Sequence, residues 1–300
     1  GGDGTTANDG LLNNAQANRG MDSPVVSVAV LGGGSLTLQG WVGNAAGNAL
    51  FANAVIEFFR AAPDATGRGE GQVYLGTLTT DAAGNFSGTL AVGILVTAGD
   101  AITATARIAD GSTSEFSANT VVNTAPVNTV PGAQTVNEDA PLALSGLSVS
   151  DADNNLTQVV LSVTNGTLAL TAQAGATVIG SGTASVTVTG TQLQINTTLA
   201  SGGLAFQGTL DFNGASVLTI TSTDAGGLTD TDNVSITVDP VNDAPSAVAD
   251  SAAVQEDLTL TASGDVLAND TDVDTGDSKT VTQVNGSGAN VGVAVAGTYG

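Results

Sequence analysis

The sequence predicts an all-β protein that is built from tandem β-sandwich modules. Apolar and polar residues alternate over many short runs, and one of the clearest extends from Ile102 to Ile108. A period of two residues is typical of a strand with one buried face. Turn residues separate these runs, as at Asp81–Gly84 and Asp110-Gly111, and no apolar period of helical length interrupts them.

The charge of the chain narrows the classes of partner. The 300 residues include 28 acidic and 5 basic side chains, which gives a formal net charge of −23. Nucleic acids and anionic membranes both attract basic surfaces, so we expect no nucleic-acid partner and no membrane insertion. Divalent cations are favoured instead, because an uncompensated charge of this size makes the compact state repel itself. A simple solubility charge on a secreted protein explains the same number, and the two interpretations are compatible.

Two residue types are missing from the chain. Without cysteine, a bound metal is the available staple for a secreted protein. Without histidine, the commonest general base and the commonest transition-metal ligand are both absent. Paired carboxylates remain, but residues 126–240 contain only Phe206 and Phe212 as aromatics that a sugar could stack on. We therefore expect that the protein is not an enzyme.

The first residues carry no periodic pattern. Residues 1–24 are rich in Gly, Asn, Asp and Ala, so we expect a flexible lead-in. Because the chain starts at Gly1 and shows no signal peptide, we interpret it as an internal part of a longer polypeptide. The longest apolar run, near Leu90–Val96, is much shorter than a membrane span.

Residues 25–124 predict a first β-sandwich. Leu36, Leu38 and Val42 alternate with polar residues, and further short strands follow between turn residues. Strands at this spacing are typical of an immunoglobulin-like fold. Trp41 is the only tryptophan, and we expect it to pack in the core rather than stack on a ligand.

Residues 126–242 predict a second β-sandwich. Val159, Leu161 and Val163 mark one strand, and Val234–Val238 alternates as the last strand. The apolar phase slips at Gly146, which indicates a glycine-marked bulge. A hairpin is predicted around Gly190, between the apolar pairs Val186/Val188 and Leu193/Ile195.

Residues 243–300 predict a third, truncated unit, because the pattern of the second starts again. Val136–Asp139 recurs as Val254–Asp257, and Leu142/Leu144 recurs as Leu258/Leu260. An internal repeat of this length indicates an array of modules rather than a solenoid.

The junction Asp239–Pro245 concentrates oxygen side chains. Pro240 and Pro245 stop the strand ladder because proline has no N–H, and Asp239, Asn242 and Asp243 stand close by. Downstream, Lys279 alone is available to neutralise a group of acids: Glu256, Asp257, Asp265, Asp270, Asp272, Asp274 and Asp277. Hard oxygen ligands around a rigid junction predict a calcium site. Solvated loop acids in an acidic protein are the alternative.

The same stretch resembles the inter-repeat linker of cadherins, which reads D-x-N-D-N-x-P. It is more similar to the V-N-D-A-P linker of bacterial cadherin-like repeats in large surface adhesins, although Val241 replaces an Asn of the cadherin pattern. Asp151–Asn155 resembles the D-x-D-x-G-x-N element, and Thr223–Gly227 resembles the A-x-D-x-G element.

Two further resemblances concern the flanking units. Val266–Asp274, followed by Gly276-Asp277, resembles the opening of VCBS-type repeats, which are modules of large bacterial adhesins. In the first unit, Ile56–Phe59 and Thr113–Ser117 are similar to bacterial Ig-like modules that stand between surface repeats. Together the resemblances imply tandem immunoglobulin/cadherin-like β-sandwich modules in a secreted protein.

The resemblance to cadherins also implies calcium ligands. At the junction near residue 240 it implies an upstream acid, three linker residues and three downstream acids: Glu138; Asp239, Asn242 and Asp243; Asp270, Asp272 and Asp274. At the junction near residue 124 it implies Asp151, Asp153 and Asp224, although the linker there carries Thr124 where the later linker has Asp243. Asp211 is a loose counterpart of the cadherin D-R-E motif.

Two functions of different class follow as expectations. The first is a calcium-stabilised extracellular repeat segment of a bacterial surface adhesin, in contact with neighbouring repeats of the same chain and non-catalytic. Its adhesive partner would be a cell-surface glycan or protein. The second is a spacer or carbohydrate-binding accessory module of a large extracellular enzyme.

Overall fold

The computed structural model describes residues 7–13, 16–65, 67–253, 263–284 and 286–293. Two sequence-based expectations therefore lie outside the described residues. One is the segment Gly1–Gly4, and the other is the repeated stretch Val254–Leu260, which includes Glu256 and Asp257.

The first part of the described chain is a β-sandwich of two sheets. One sheet has the strand order β1-β2-β5 and the other β4-β3-β6-β7. The seven strands are β1 (Pro24–Gly32), β2 (Ser35–Val42), β3 (Val55–Ala61), β4 (Gly71–Thr79), β5 (Asn85–Ala91), β6 (Ala101–Arg107) and β7 (Thr120–Val121).

Alternation places the core between these two sheets. Leu36 and Leu38 of β2 are fully buried, as are Ile56 and Phe58 of β3. The Phe58 ring packs edge-on against Phe86 of the opposite sheet, with ring centroids 5.4 Å apart. The inward residues of both sheets therefore form one continuous core.

A glycine lets strands β1 and β5 approach strand β2. A Cβ atom added at Gly40 would lie 1.9 Å from the Val25 carbonyl oxygen and 2.5 Å from the Phe86 ring. Neither neighbour has room to move, because one is backbone and the other is a buried side chain. Gly40 thus lets Phe86 fill the core across from Phe58.

The second part of the chain has a separate core and larger sheets. A six-stranded sheet has the order β14-β15-β12-β17-β18-β9, a three-stranded sheet β10-β16-β13, and a two-stranded sheet β11-β8. The strands and the helix are β8 (Val127–Thr129), β9 (Gln134–Asn137), β10 (Pro141–Ala143), β11 (Ser148–Ser150), β12 (Leu156–Val163), β13 (Gly166–Ala169), β14 (Thr177–Ile179), β15 (Ser185–Thr189), α1 (Gln192–Ser201), β16 (Ala205–Gly208), β17 (Gly214–Asp224) and β18 (Thr229–Asp239).

The prediction of an all-β protein with tandem sandwiches is confirmed. The alternating residues predicted for β12, β15 and β18 are buried in one cluster with Phe206 of β16. The last two strands, β17 and β18, pair antiparallel from Gly214↔Val238 to Thr223↔Thr229. Strand β9 adds in parallel to β18 and pairs Asn137 with Asp239, which places the next residue, Glu138, at the end of the sheet.

The hairpin predicted around Gly190 is wrong. Residues Gln192–Ser201 form helix α1 instead, and this is the one α-helix among the described residues. Thr191 caps it with a capping box, in which Gln194 donates its backbone N–H to the Thr191 side chain and Thr191 donates its N–H to the Gln194 side chain. Ile195 and Leu199, one turn apart, are buried against the sheet.

The bulge predicted at Gly146 is also wrong. Strands β10 and β11 on its two sides belong to different sheets, and β10 pairs with β16 while β11 pairs with β8. Gly146 has a φ of 80°, so it turns the chain from one sheet to the other. The phase slip therefore reflects a change of sheet.

Residues 241–253, 263–284 and 286–293 contain no buried side chain. Their regular structure consists of isolated bridges and a 3-10 helix at Gly288–Asn290. One bridge joins Ser246 to Thr271 and lies next to the second junction. No helix in the described part of the chain is long and apolar enough to cross a membrane.

Candidate metal centres at two junctions

The linker after the first sandwich is fixed to that sandwich by its backbone. Asn123 forms a parallel bridge with Val30 of β1. Its N–H donates to the Ala29 oxygen at 2.9 Å, and its oxygen accepts from the Leu31 N–H at 2.9 Å. The Asn123 side chain is therefore held at the end of the first sandwich, where it faces the second.

The side chains of this linker meet the predicted acids of the second sandwich. Asn123 Nδ2 donates to Asp224 Oδ2 at 2.8 Å. Thr124 donates to Asp153 Oδ2 from its backbone N–H at 2.6 Å and from its hydroxyl at 2.9 Å. Asn155 Nδ2 donates to Asn123 Oδ1 at 2.6 Å. The linker thus donates hydrogen bonds to these acids. The sequence analysis looked for a linker ligand and missed these donors.

Oxygens at the first junction remain without a partner. Asp151 is only 4% exposed, and its Oδ2 atom has no hydrogen-bond partner among the described residues. The same holds for Asp153 Oδ1 and Asn155 Oδ1, which are also enclosed. Burial raises the pKa of Asp151, and the charges of Asp153 and Asp224 raise it further, against a lowering by the Asp153 N–H. Buried oxygens without hydrogen-bond partners are energetically costly, and a cation would offset that cost.

The loop that carries these oxygens is shaped by local hydrogen bonds. Asp151 Oδ1 accepts from the Asp153 N–H at 2.9 Å, and the Asp151 carbonyl accepts from the Asn154 N–H at 3.2 Å. Asn154 has a φ of 56°, in the left-handed region that favours glycine and tolerates asparagine. Asn154 therefore turns the backbone between Asp153 and Asn155.

A glycine in the turn after Asp224 leaves room for the linker. The Oδ1 atom of Asp224 accepts from the Leu228 N–H at 2.8 Å, which closes the β17–β18 turn. A Cβ atom on Gly226 would lie 2.3 Å from Asn123 Nδ2. Gly226 therefore leaves the space through which Asn123 reaches Asp224.

At the second junction, Glu138 organises the linker. It is 5% exposed, and its backbone N–H donates to the Asp239 oxygen at 2.9 Å. Glu138 Oε1 accepts from the Val241 N–H at 2.7 Å, and Oε2 accepts from Asn213 Nδ2 at 3.3 Å. The buried carboxylate thus has a donor on each oxygen and holds the first linker residues against β18.

Two groups of acids meet around Asp243. One joins it to Glu138 and Asp274 and the other to Asp139 and Asp211, with carboxylate oxygens in each group within 4.8 Å of one another. Partial burial raises the pKa of Asp243, and the charges of Asp211, Asp274, Asp139 and Glu138 raise it further. A carboxylate shared by two acidic groups offers oxygen ligands of the kind that calcium prefers.

Backbone donors place the downstream acids. Asp243 donates its N–H to Asp274 Oδ2 at 2.6 Å, and Asp274 donates its N–H to Asp272 Oδ1 at 3.1 Å. Asp211 donates its N–H to Asp139 Oδ1 at 3.1 Å, and both of these residues have positive φ values, of 55° and 59°. The sequence analysis did not name Asp139 as a candidate ligand, although this residue directly follows Glu138.

The other predicted ligands stand apart from the two groups. Asp239 is exposed and contributes its backbone oxygen to Glu138. Asn242 donates its side-chain N–H to the Asp243 oxygen at 2.6 Å, and Asp272 supports Asp274. Lys279, which the sequence offered as a counter-charge, donates to the backbone carbonyl of Asp270 rather than to the clustered carboxylates.

One family model matches part of the chain. Residues 242–299 match the family described as bacterial Ig domain, so this segment is similar to bacterial Ig-like modules. The sequence analysis expected a VCBS-type or cadherin-like repeat there, and that finer assignment stays a prediction. Ig-like modules are common in cell-surface proteins.

Several solved structures are similar at low identity. Fibronectin(III)-like modules of CbhA from Clostridium thermocellum are 15% identical over 72% of this chain and 94% of theirs, with a TM-score of 0.33. The C-terminal domain of the Streptococcus pyogenes antigen I/II-family protein AspA is 9% identical over 72% and 95%, with a TM-score of 0.29. The human desmocollin-1 ectodomain is 13% identical over 76% and 41%, with a TM-score of 0.23. The fold assignment rests on the strand order above.

Proposed function

We propose that this chain is a calcium-stabilised, non-catalytic repeat segment of a bacterial surface adhesin, located outside the cell. The observation that carries the proposal is the enclosed, unpaired Asp151 Oδ2 atom at the joint between two sandwiches. A buried carboxylate oxygen without a donor is costly, and a cation removes that cost. Joints between modules are also where an extended surface protein bends.

Each junction offers a ligand set of its own. At the first, Asp151, Asp153 and Asn155 would hold the ion with their unpaired oxygens. At the second, Glu138, Asp243 and Asp274 are close enough to share one, and Asp139 and Asp211 extend the site from the same Asp243. Carboxylate and amide oxygens without nitrogen or sulfur ligands favour calcium over transition metals. The ion would supply the positive charge that the chain itself lacks.

The adhesin assignment draws on two supports. The D-x-D and V-N-D-A-P elements resemble bacterial cadherin-like repeats, and the structure brings residues of both elements to junctions between units. The bacterial Ig-like match on residues 242–299 extends the array. The proposal of a non-catalytic role is supported by the absence of His and Cys from the sequence.

Calcium binding tests the proposal directly. Titration of the chelator-treated chain with calcium, followed by calorimetry, should show binding with Kd on the order of 0.1–1 mM, as in extracellular modules. Asp151→Asn should remove the first site and Asp243→Asn the second. Glu70→Gln is the matched control because it removes one charge from an exposed loop, and it should bind as the unaltered chain does. Absence of saturable calcium binding would contradict the proposal.

A further inference from the structure

Strand β14 forms an open edge of the six-stranded sheet. It pairs with β15 on one side, and the register runs without interruption from Thr177↔Thr189 to Ile179↔Thr187. Among the described residues, no hydrogen bond reaches the other side of this strand. An open edge of this kind is a template on which another strand can pair.

The backbone of Val178 points to the open side. Within the sheet, the Val163 N–H of β12 donates to the Ala184 oxygen at 2.9 Å, directly before β15. Because backbone groups alternate in direction along a strand, the even-numbered residues of β15 bond to β12 and the odd-numbered ones bond to β14. Their partners in β14 are Thr177 and Ile179. Val178, between them, therefore directs its N–H and its carbonyl away from the sheet.

Two other edges of the second sandwich are protected. Strand β13 is covered by a return of the chain, in which Leu168 donates its N–H to the Thr183 oxygen at 2.8 Å and accepts from the Gly182 N–H at 2.7 Å. At the far edge of the six-stranded sheet, β9 leads directly into Glu138 and Asp139. Coverage and charge are usual protections of an edge. Strand β14 carries no charge, no proline and no bulge.

The elements around β14 are also free of charge. No acidic or basic residue lies between Asp153 and Asp211, so strands β12 to β16 and helix α1 are uncharged. The whole chain has a formal net charge of −23. Two such chains repel each other wherever their acidic surfaces meet, and this repulsion is smallest at a neutral edge. The same edge exposes an apolar side chain, because Ile179 is 64% exposed.

We propose that β14 is a self-association edge, on which the β14 strand of a second copy of this chain pairs antiparallel. With a two-fold axis at Val178, the N–H of each copy donates to the Val178 carbonyl of the other. Thr177 of one copy then lies opposite Ile179 of the other on the outer face of the joined sheet. The inference goes beyond the proposed calcium function and does not depend on it.

The contact is short, so the association of two free chains is weak. It gains strength where many copies are held side by side, because the second contact is then made at a high effective concentration. A partner of this kind suits a repeat segment that many copies display on one surface.

Sedimentation equilibrium of the full chain measures the association, at chain concentrations up to about 1 mM, where a Kd of that size is measurable. We expect a monomer–dimer equilibrium that strengthens with added sodium chloride, because salt screens the repulsion between two acidic chains. The samples contain a chelator, so that calcium plays no part. A chain that stays monomeric at every concentration and salt level would overturn the proposal.

Variants separate the edge from general effects of charge. Ile179→Glu should lower the association constant about tenfold or more, because it places a carboxylate against the partner strand in both copies. Ile94→Glu is the matched control, since it makes the same change at a side chain that is 94% exposed in the β5–β6 loop, and it should associate as the unaltered chain does. Equal losses in the two variants, or no loss in Ile179→Glu, would place the contact elsewhere and overturn the proposal.

A proline tests the backbone pairing. Val178→Pro removes the outward N–H but keeps the bonds that Thr177 and Ile179 make to β15, and proline is tolerated at such an edge position. The variant should lose association, while far-UV circular dichroism shows that the sheet is retained. Full association of a folded Val178→Pro variant would contradict pairing through this backbone.

Cysteines report the register, because the chain contains none of its own. In the proposed pairing, Thr177 and Ile179 of opposite copies form a non-hydrogen-bonded pair with Cα atoms about 4.5 Å apart, which a disulfide can span. Under mild oxidation, a mixture of Thr177→Cys and Ile179→Cys chains should therefore give a linked dimer, and each variant alone should give much less. Equal linkage in the single-variant samples would contradict the antiparallel register. Calcium titration of Ile179→Glu should match the unaltered chain, so that failure of either proposal is seen separately.

Discussion

The pKa values of two aspartates in the first sandwich are shifted in opposite directions. Asp22 is 3% exposed, and burial raises its pKa although the N–H groups of Asp9 and Gly10 donate to it at 3.0 and 2.7 Å. Asp110 is half-exposed, and the Ser112 N–H and the Arg19 guanidinium lower its pKa to about 2. Desolvation decides the first case, and hydrogen bonds decide the second.

These directions predict opposite pH dependences of stability. For Asp22 the folded pKa lies above 3.8, so the folded state binds more protons between the two values, and the contribution to stability falls as pH rises above 3.8. For Asp110 the unfolded state binds more protons, so the contribution is complete above pH 3.8 and is lost as pH falls toward 2.

Urea unfolding followed by Trp41 fluorescence between pH 2 and 6 measures both effects. The difference in free energy of unfolding between the unaltered chain and Asp22→Asn should decrease with rising pH. The difference for Asp110→Asn should increase with rising pH at the acidic end. Slopes of the same sign for the two variants would contradict the assignment of causes.

Among the elements, helix α1 depends on its first turn. The capping box of Thr191 and Gln194 satisfies two N–H groups that the helix leaves free. Thr191→Ala should lower the free energy of unfolding by about 1 kcal/mol, the usual loss for a threonine cap. Thr197→Ala on the same helix is the control and should change stability little, because its hydroxyl donates only to the Leu193 carbonyl. Equal losses for both variants would contradict a specific contribution of the cap to stability.

This helix also shows where sequence reasoning reaches its limit. Leu193 and Ile195 alternate as a strand would, but Leu193 is 76% exposed while Ile195 packs with Leu199 one turn later. The window is short, so two apolar residues fit either period. The spacing of Thr191 and Gln194 was the available signal for a helix. It acts by capping backbone N–H groups, whichever neighbouring residues are buried.

At the junctions, the sequence identifies the acidic residues but not the residues that contact them. Asp151, Asp153 and Asp224 were recognisable from their motifs, because those motifs fix local turns. The role of Asn123 and Thr124 was not, since a donor becomes visible only when the fold brings strands distant in sequence together. The same holds for Asp211, which lies far from Asp243 in the chain.

At the scale of the whole molecule, the third unit should be less protected than the other two. Residues 263–284 contain no buried side chain, and Ser246–Thr271 is one of few bridges there. Backbone amides without a covering core exchange through low-energy openings. Hydrogen exchange should therefore be fast in 263–284 and slow in β12, measured in the same sample. Slow exchange throughout 263–284 would contradict this prediction.

Calcium should stiffen the two junctions to different degrees. At about ten times Kd, binding to the folded state contributes about 1.4 kcal/mol. At the first junction, hydrogen bonds from Asn123 and Thr124 remain when the ion leaves. At the second, removal of the ion leaves Asp243 among four other carboxylates, whose repulsion opposes the closed linker.

Limited proteolysis with and without a chelator compares the two junctions. Chelation should expose residues 239–250 to cleavage, while cleavage at 123–131 should change little. The Asp243→Ala variant should be cleaved equally at the second junction with and without chelator. The control Glu70→Gln should behave as the unaltered chain. The repulsion at the second junction weakens with salt, so the chelator effect should shrink at high ionic strength. Equal cleavage of 239–250 with and without calcium in the unaltered chain would defeat the hypothesis, because the linker would then be held by its Glu138 contacts alone.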